Sequence, residues 1–166
     1  ARGRASSSMT GSDRVSGIEN VIGTSFGDVL LGNQDANRLE GGDGNDTLSG
    51  GRGLDVLFGG DGEDTFLFDG KPSSADADEI VDFEVGLDTI ALSRRDFGKL
   101  GPIGELDMDA FTTGQAATSL AHRIIFDDAT GELFYDRDGT GAGAAVKFAV
   151  LEPALELSHT DFTIVA

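Results

Sequence analysis

The 166-residue chain contains no cysteine and no tryptophan, and only one tyrosine, three prolines and two histidines. Without cysteine no disulfide can staple the fold, and no thiolate can act as nucleophile or soft-metal ligand. A secreted domain so composed needs a large core or metal ions to hold it. No stretch approaches the ~18 apolar residues of a membrane-spanning helix. Ala1 to Ser16 is polar and has no apolar core of a signal peptide. H-E-x-x-H is absent and there is no cysteine nucleophile, so no catalytic constellation is expected in this chain. Positive charge is scarce: 12 Lys and Arg stand against 30 Asp and Glu, a formal charge of −18. That balance argues against nucleic acid and anionic membranes as partners and for cations. The chain opens on Ala1 rather than Met, which gives the expectation of a piece of something longer.

What the chain has in abundance is glycine at a fixed step. Glycine recurs at 23, 32, 41, 50 and 59, and the frame reads GTSFGDVLL, GNQDANRLE, GGDGNDTLS, GGRGLDVLF, GGDGEDTFL. Position six is Asp28, Asn37, Asp46, Asp55 and Asp64, and position eight is Leu30, Leu39, Leu48, Leu57 and Phe66. A flexible glycine-rich linker would not keep an apolar residue at every position eight.

The first six residues of each unit form a tight turn, because glycine permits positive φ and close backbone approach. The last three form a short strand with one apolar side chain pointing inward. Two units make one coil, so turn one stacks on turns three and five, and turn two on turn four. Coils lie about 4.8 Å apart, which brings position-six carboxylates close enough to repel unless a cation separates them. The carbonyls of positions two and four face the same gaps. Asp28, Asp46 and Asp64 with the backbone of Thr24, Phe26, Gly42, Gly44, Gly60 and Gly62 form one column. Asn37 and Asp55 with Asn33, Asp35, Gly51 and Gly53 form the other, weaker for its neutral Asn37. Carboxylate and carbonyl oxygens, roughly six per ion, suit Ca²⁺, whereas softer metals find no ligands in the repeats. At least three ions are expected, between turns one and three, three and five, and two and four.

These repeats resemble the RTX nonapeptide G-G-x-G-x-D-x-U-x, with repeat three a full match and repeats one and two lacking the second glycine. The fold implied is all-β: a parallel β-roll followed by a C-terminal antiparallel β cap. The expected division is 1–16 linker, 17–69 roll and 70–166 cap. Asp78-Glu-Ile-Val-Asp-Phe83 and Asp88-Thr-Ile-Ala-Leu-Ser93 alternate like strands around a turn at Gly86. They are similar to the stretch after the repeats in serralysin-type proteases. The resemblance makes Asp78 a ligand of a terminal calcium, while the pattern alone reads equally as a solvated strand face. Further on, Leu100, Leu106 and Phe111 are expected to pack inward, and Gln115 to Arg123 to be helical. Strands over 124–128, 132–136 and 145–151 are expected to pair antiparallel, and Asp136-x-Asp138-Gly to make a turn without metal.

The acid followed by an apolar tail, Asp161-Phe-Thr-Ile-Val-Ala166, resembles the signal of type I secretion substrates and also reads as a final strand. The family resemblance implies a secreted, extracellular or cell-surface domain, exported C-terminus first by the type I machinery and attached to an upstream effector. The alternative is an adhesion module that binds a surface or polysaccharide on the same calcium roll.

Overall fold

Each nonapeptide folds as a turn followed by a short strand, and successive strands fall alternately into two facing sheets. The computed structural model describes residues 12–14 and 19–166. The repeat region supplies β1 (Ser12–Arg14), β2 (Asn20–Ile22), β3 (Val29–Leu31), β4 (Arg38–Asp43), β5 (Thr47–Ser49), β6 (Val56–Asp61) and β7 (Thr65–Phe68). The second half supplies β8 (Asp78–Ile80), β9 (Thr89–Ser93), β10 (Gly104–Glu105), β11 (Phe111–Thr113), β12 (Ile124–Asp127), β13 (Glu132–Tyr135), β14 (Val146–Val150) and β15 (Phe162–Val165). One sheet runs β1-β3-β5-β7-β9-β15-β10 and the other β11-β12-β13-β14-β8-β6-β4-β2.

The coil register is the repeat register. Leu30 pairs with Leu48 and Leu48 with Phe66, while Val21, Leu39 and Leu57 align in the opposite sheet. All six are buried, and they meet in the narrow interior that position eight demands. The first coil begins inside the stretch expected as linker, because β1 pairs in parallel with β3. The rest of residues 1–16, and residues 17 and 18, lie outside those described.

The coil also does not stop where the nonapeptides stop. β8 pairs in parallel with β6, and β9 with β7, adding one more rung to each sheet. On those rungs sit β14, parallel to β8, and β15, parallel to β9. The antiparallel part of the cap is β12-β13-β14 together with the β10–β15 pair. The cap thus continues both sheets of the roll and then turns antiparallel.

With the cap the core widens from a leucine stripe to a phenylalanine cluster. Phe148 makes edge-on contacts with Phe68 and Phe97, each with centroids 5.1 Å apart, and Phe97 meets Tyr135 at 5.3 Å. Leu100 and Leu106 are buried and Phe111 packs against the same cluster, as expected. Gln115 to Arg123 contains no helix, contrary to expectation. The imidazole Nδ1 of His122 accepts the Thr118 N–H, and the Ser119 hydroxyl accepts the Ala121 N–H. Such local side-chain acceptors compete with helical backbone bonding. The terminal strand β15 is not an edge, because β10 covers its far side.

Leu48 is fully buried at the centre of the stripe, and Leu54 is 58% exposed on a turn. Leu48→Ala should lower the unfolding free energy by ~2–5 kcal/mol, and Leu54→Ala by less than about 0.5 kcal/mol. Denaturant unfolding in saturating calcium measures both, and equal effects would contradict this core.

Candidate metal centre

The turns stack in two columns, one at each end of the facing sheets. In the first column the carboxylates after Asp28 each accept the backbone N–H of the acid one coil before. Asp28 N–H donates to Asp46 Oδ1 at 2.6 Å, Asp46 N–H to Asp64 Oδ1 at 2.8 Å, and Asp64 N–H to Asp88 Oδ1 at 3.0 Å. In the second column Asn37 N–H donates to Asp55 Oδ1 at 2.6 Å, and Asp55 N–H to Asp78 Oδ1 at 3.2 Å. Asp28, Asp46, Asp64, Asn37 and Asp55 therefore stack as the repeat frame sets them, Asp78 extends the second column from 23 residues after Asp55, and all six are buried.

One oxygen per carboxylate is left over. Oδ2 of Asp46, Asp55 and Asp64 is buried and has no hydrogen-bond partner. A Cβ added to Gly41, Gly50 or Gly59 would fall onto that same oxygen, so the position-one glycines keep the space beside it open. Buried anionic oxygens without partners are costly, and a cation is the group that would satisfy them. The degenerate repeats differ. Asp28 Oδ2 accepts the N–H and the hydroxyl of Thr24, at 2.6 and 2.8 Å, and Asn37 Oδ1 accepts the Asn33 N–H at 2.9 Å. In the full repeats position two is Gly42, Gly51 or Gly60, with φ of +116°, +93° and +98°, and no such donor reaches the carboxylate.

The carbonyl oxygens of Thr24, Asn33, Gly42 and Gly44 face Gly42, Gly51, Gly60 and Gly62 of the next turn in their columns, close enough that any Cβ there would clash. Gly53 would meet the carbonyl of Asp35 at 3.0 Å. The ring of Phe26 is 55% exposed, and its backbone N–H is tied to the Thr24 hydroxyl. Among the described residues no three His, Asp or Glu side chains form a metal cluster. A cation here would take one or two carboxylates and fill its shell with carbonyl oxygens, the hard-oxygen set that suits Ca²⁺.

Three acids outside the nonapeptides complete the last turns. Asp88 extends the first column, Asp82 accepts the N–H groups of Gly59 and Gly60 at 2.9 and 3.1 Å, and Asp76 accepts that of Gly53 at 3.1 Å. The frame of nine hides Asp88, because it lies 24 residues after Asp64 rather than 18. The usable signal is Asp88-Thr-Ile90 itself, which repeats the D-x-U ending of the nonapeptides, as Asp78-Glu-Ile80 does. By contrast Asp136 Oδ1 accepts the N–H groups of Asp138 and Gly139, which makes the expected turn.

The electrostatics match the geometry. Burial pushes Asp46 up to about 6, with the charges of Asp64 and Asp28 adding to it. Burial and then the charge of Asp55 push Asp78 up to about 8. Burial also raises Asp55, Asp64 and Asp88. Without a cation, the columns hold protons more tightly than free carboxylates do.

Residues 13–48, 22–57 and 40–70 each match the RTX calcium-binding nonapeptide repeat. The roll is an RTX calcium-binding domain. Its repeats bind calcium, and the orphaned oxygens lie in its three best-formed turns. The chain as a whole is similar to the solution structure of the AlgE6R3 subunit from the Azotobacter vinelandii mannuronan C5-epimerase. The identity is 28% and the TM-score 0.55, over 87% of this chain and 76% of that one. No curated protein matches the chain.

Two predictions follow the columns. Asp64 borders two gaps and Asp28 one. Asp64→Ala should therefore lower calcium-loaded stability about twice as much as Asp28→Ala, on a scale of ~2.7 kcal/mol per ion at a hundredfold excess over Kd. Equal effects in chemical unfolding would contradict the shared-carboxylate arrangement. The second concerns pH. A carboxyl whose folded pKa lies above its unfolded value favours the fold at low pH and loses that contribution as pH rises. The calcium-free chain should be most stable near pH ~4 and weaken through the Asp46 range near 6 and the Asp78 range near 8. Calcium must displace those protons, so the calcium-loaded chain should strengthen over the same range. Thermal unfolding with chelator and with calcium reads both slopes; parallel slopes would overturn the assignment.

Proposed function

We propose that this chain is the calcium-folded C-terminal domain of a secreted protein, holding ions with Asp28, Asn37, Asp46, Asp55, Asp64, Asp78 and Asp88 and the facing carbonyls. The observation that carries this reading is the set of buried, partnerless Oδ2 atoms on Asp46, Asp55 and Asp64, in register with the RTX repeats. About three or more ions fill the gaps, and each adds folding stability by mass action. Without calcium the acids repel across a coil spacing of about 4.8 Å, and a stripe one side chain wide cannot offset chain entropy. Extracellular calcium modules bind with Kd of ~10⁻⁴–10⁻³ M, so the chain stays unfolded at low cytosolic calcium and folds outside.

Export through the type I machinery fits this order. β15 lies inside a sheet with Phe162 and Ile164 buried, so a C-terminal signal would be accessible only before folding. Catalysis belongs to an upstream effector domain in this reading. Similarity to a subunit of a mannuronan epimerase supports a second, compatible role as a polysaccharide-binding module on the same roll.

Far-UV circular dichroism separates the folded and unfolded states. Excess chelator should give a disordered spectrum at neutral pH, and ~10 mM calcium (about tenfold over the upper end of the expected Kd) a β spectrum. A full β spectrum in chelator would refute calcium-driven folding.

A further inference from the structure

Positive charge is scarce in this molecule, yet it gathers in one place. A cleft of about 590 Å³ is lined by Lys71, Arg95, Lys99 and Arg137, with Asp96 as its sole acid. These cations come from three separate segments: the loop between β7 and β8, the turn after β9, and the hairpin between β13 and β14. The sequence scatters them over 67 positions (71 to 137), and the cap brings them together.

Arg95 has a structural task. Its guanidinium pairs with Asp96 at 2.8 Å and donates to the Asp69 carbonyl at 3.0 Å, tying two walls of the cleft. Lys71, Lys99 and Arg137 are exposed and form no ion pair among the described residues. Three free cations on one cleft of a −18 chain are a local reversal of sign. Lys99 adds a second observation. It holds φ at +75°, a backbone conformation that glycine adopts freely and lysine rarely does. Strain of this kind persists where the surrounding structure fixes the backbone, and it gathers at ligand sites, although Ala154 at φ +64° carries it too.

We infer that this cleft binds a carboxylate-bearing saccharide, a uronate oligomer, an inference that rests on the second, polysaccharide-binding reading above. Exposed cations brought from three separate segments suit single charges borne along a chain, not one concentrated phosphate, which a helix N-terminus or backbone nest would hold. The ring of Tyr135 is only 7% exposed and its hydroxyl donates to the Gly98 carbonyl, so no free aromatic platform is present to stack a nucleobase. Pro72 and Val146 supply apolar surface for the C–H face of a sugar ring.

The test is calorimetric titration of the full chain, in saturating calcium, with a tetrameric uronate, a neutral tetrasaccharide of the same linkage, and a sulfated oligosaccharide. The uronate should bind, the neutral sugar should not, and affinity should fall with added salt. Lys71→Gln and Arg137→Gln should each weaken uronate binding about tenfold, and Lys71→Arg should retain it. Lys99→Gly should weaken binding similarly while keeping or raising the calcium-loaded melting temperature, because glycine relieves the backbone. A role in folding alone predicts unchanged affinity, and that result would overturn the inference. So would binding of the sulfated oligomer alone, or equal binding of the neutral sugar. The melting temperature of each variant, measured with and without calcium, keeps failure of the cleft distinct from failure of the calcium-folding reading.

Discussion

The structure depends on carboxylates held one coil apart. Each position-six acid after Asp28 gives one oxygen to the backbone of the coil before it, as in the bond from Asp46 N–H to Asp64 Oδ1. The other oxygen has no protein partner in the full repeats. The same side chain thus fixes the stacking register and leaves a charge that the protein alone does not neutralise. A calcium ion would resolve that conflict, and the glycines on either side leave room beside the carboxylate and the facing carbonyls.

The cap answers a different deficit. A roll whose interior is one leucine per turn buries little apolar surface, and its last coil would end in an open sheet edge. β8 and β9 continue the two sheets, β14 and β15 cover them, and Phe68, Phe97 and Phe148 form a core of ordinary width. The acids Asp76, Asp82 and Asp88 bind the last turns much as the next repeat would. Roll and cap are therefore joined through both hydrogen-bonded sheets and both carboxylate columns. A further link runs from Gly86 N–H to Asp161 in the C-terminal turn, at 2.9 Å.

The roll was legible in the sequence because its physics is strictly periodic. A glycine every nine residues sets the turn, and the apolar residue two after each acid sets the strand. The cap was legible only in pieces. Its turns at Gly86, Gly131 and Gly139 have positive φ, as their local sequences imply. Yet the parallel joins of β14 to β8 and β15 to β9 link residues about 70 apart, and no local pattern encodes them. Asp88 was hidden for a related reason: the turn before it is longer, so the count of nine breaks while the column continues. The basic cleft lies wholly beyond local pattern, since it exists only once three loops converge.

The central claim is that folding takes up calcium into these columns. The most direct measurement is the unfolding free energy by denaturant at a series of free calcium concentrations at neutral pH. Its slope against the logarithm of calcium, divided by RT, gives the number of ions released on unfolding. The account predicts a slope of about three or more ions. A free energy that does not change with calcium would contradict it.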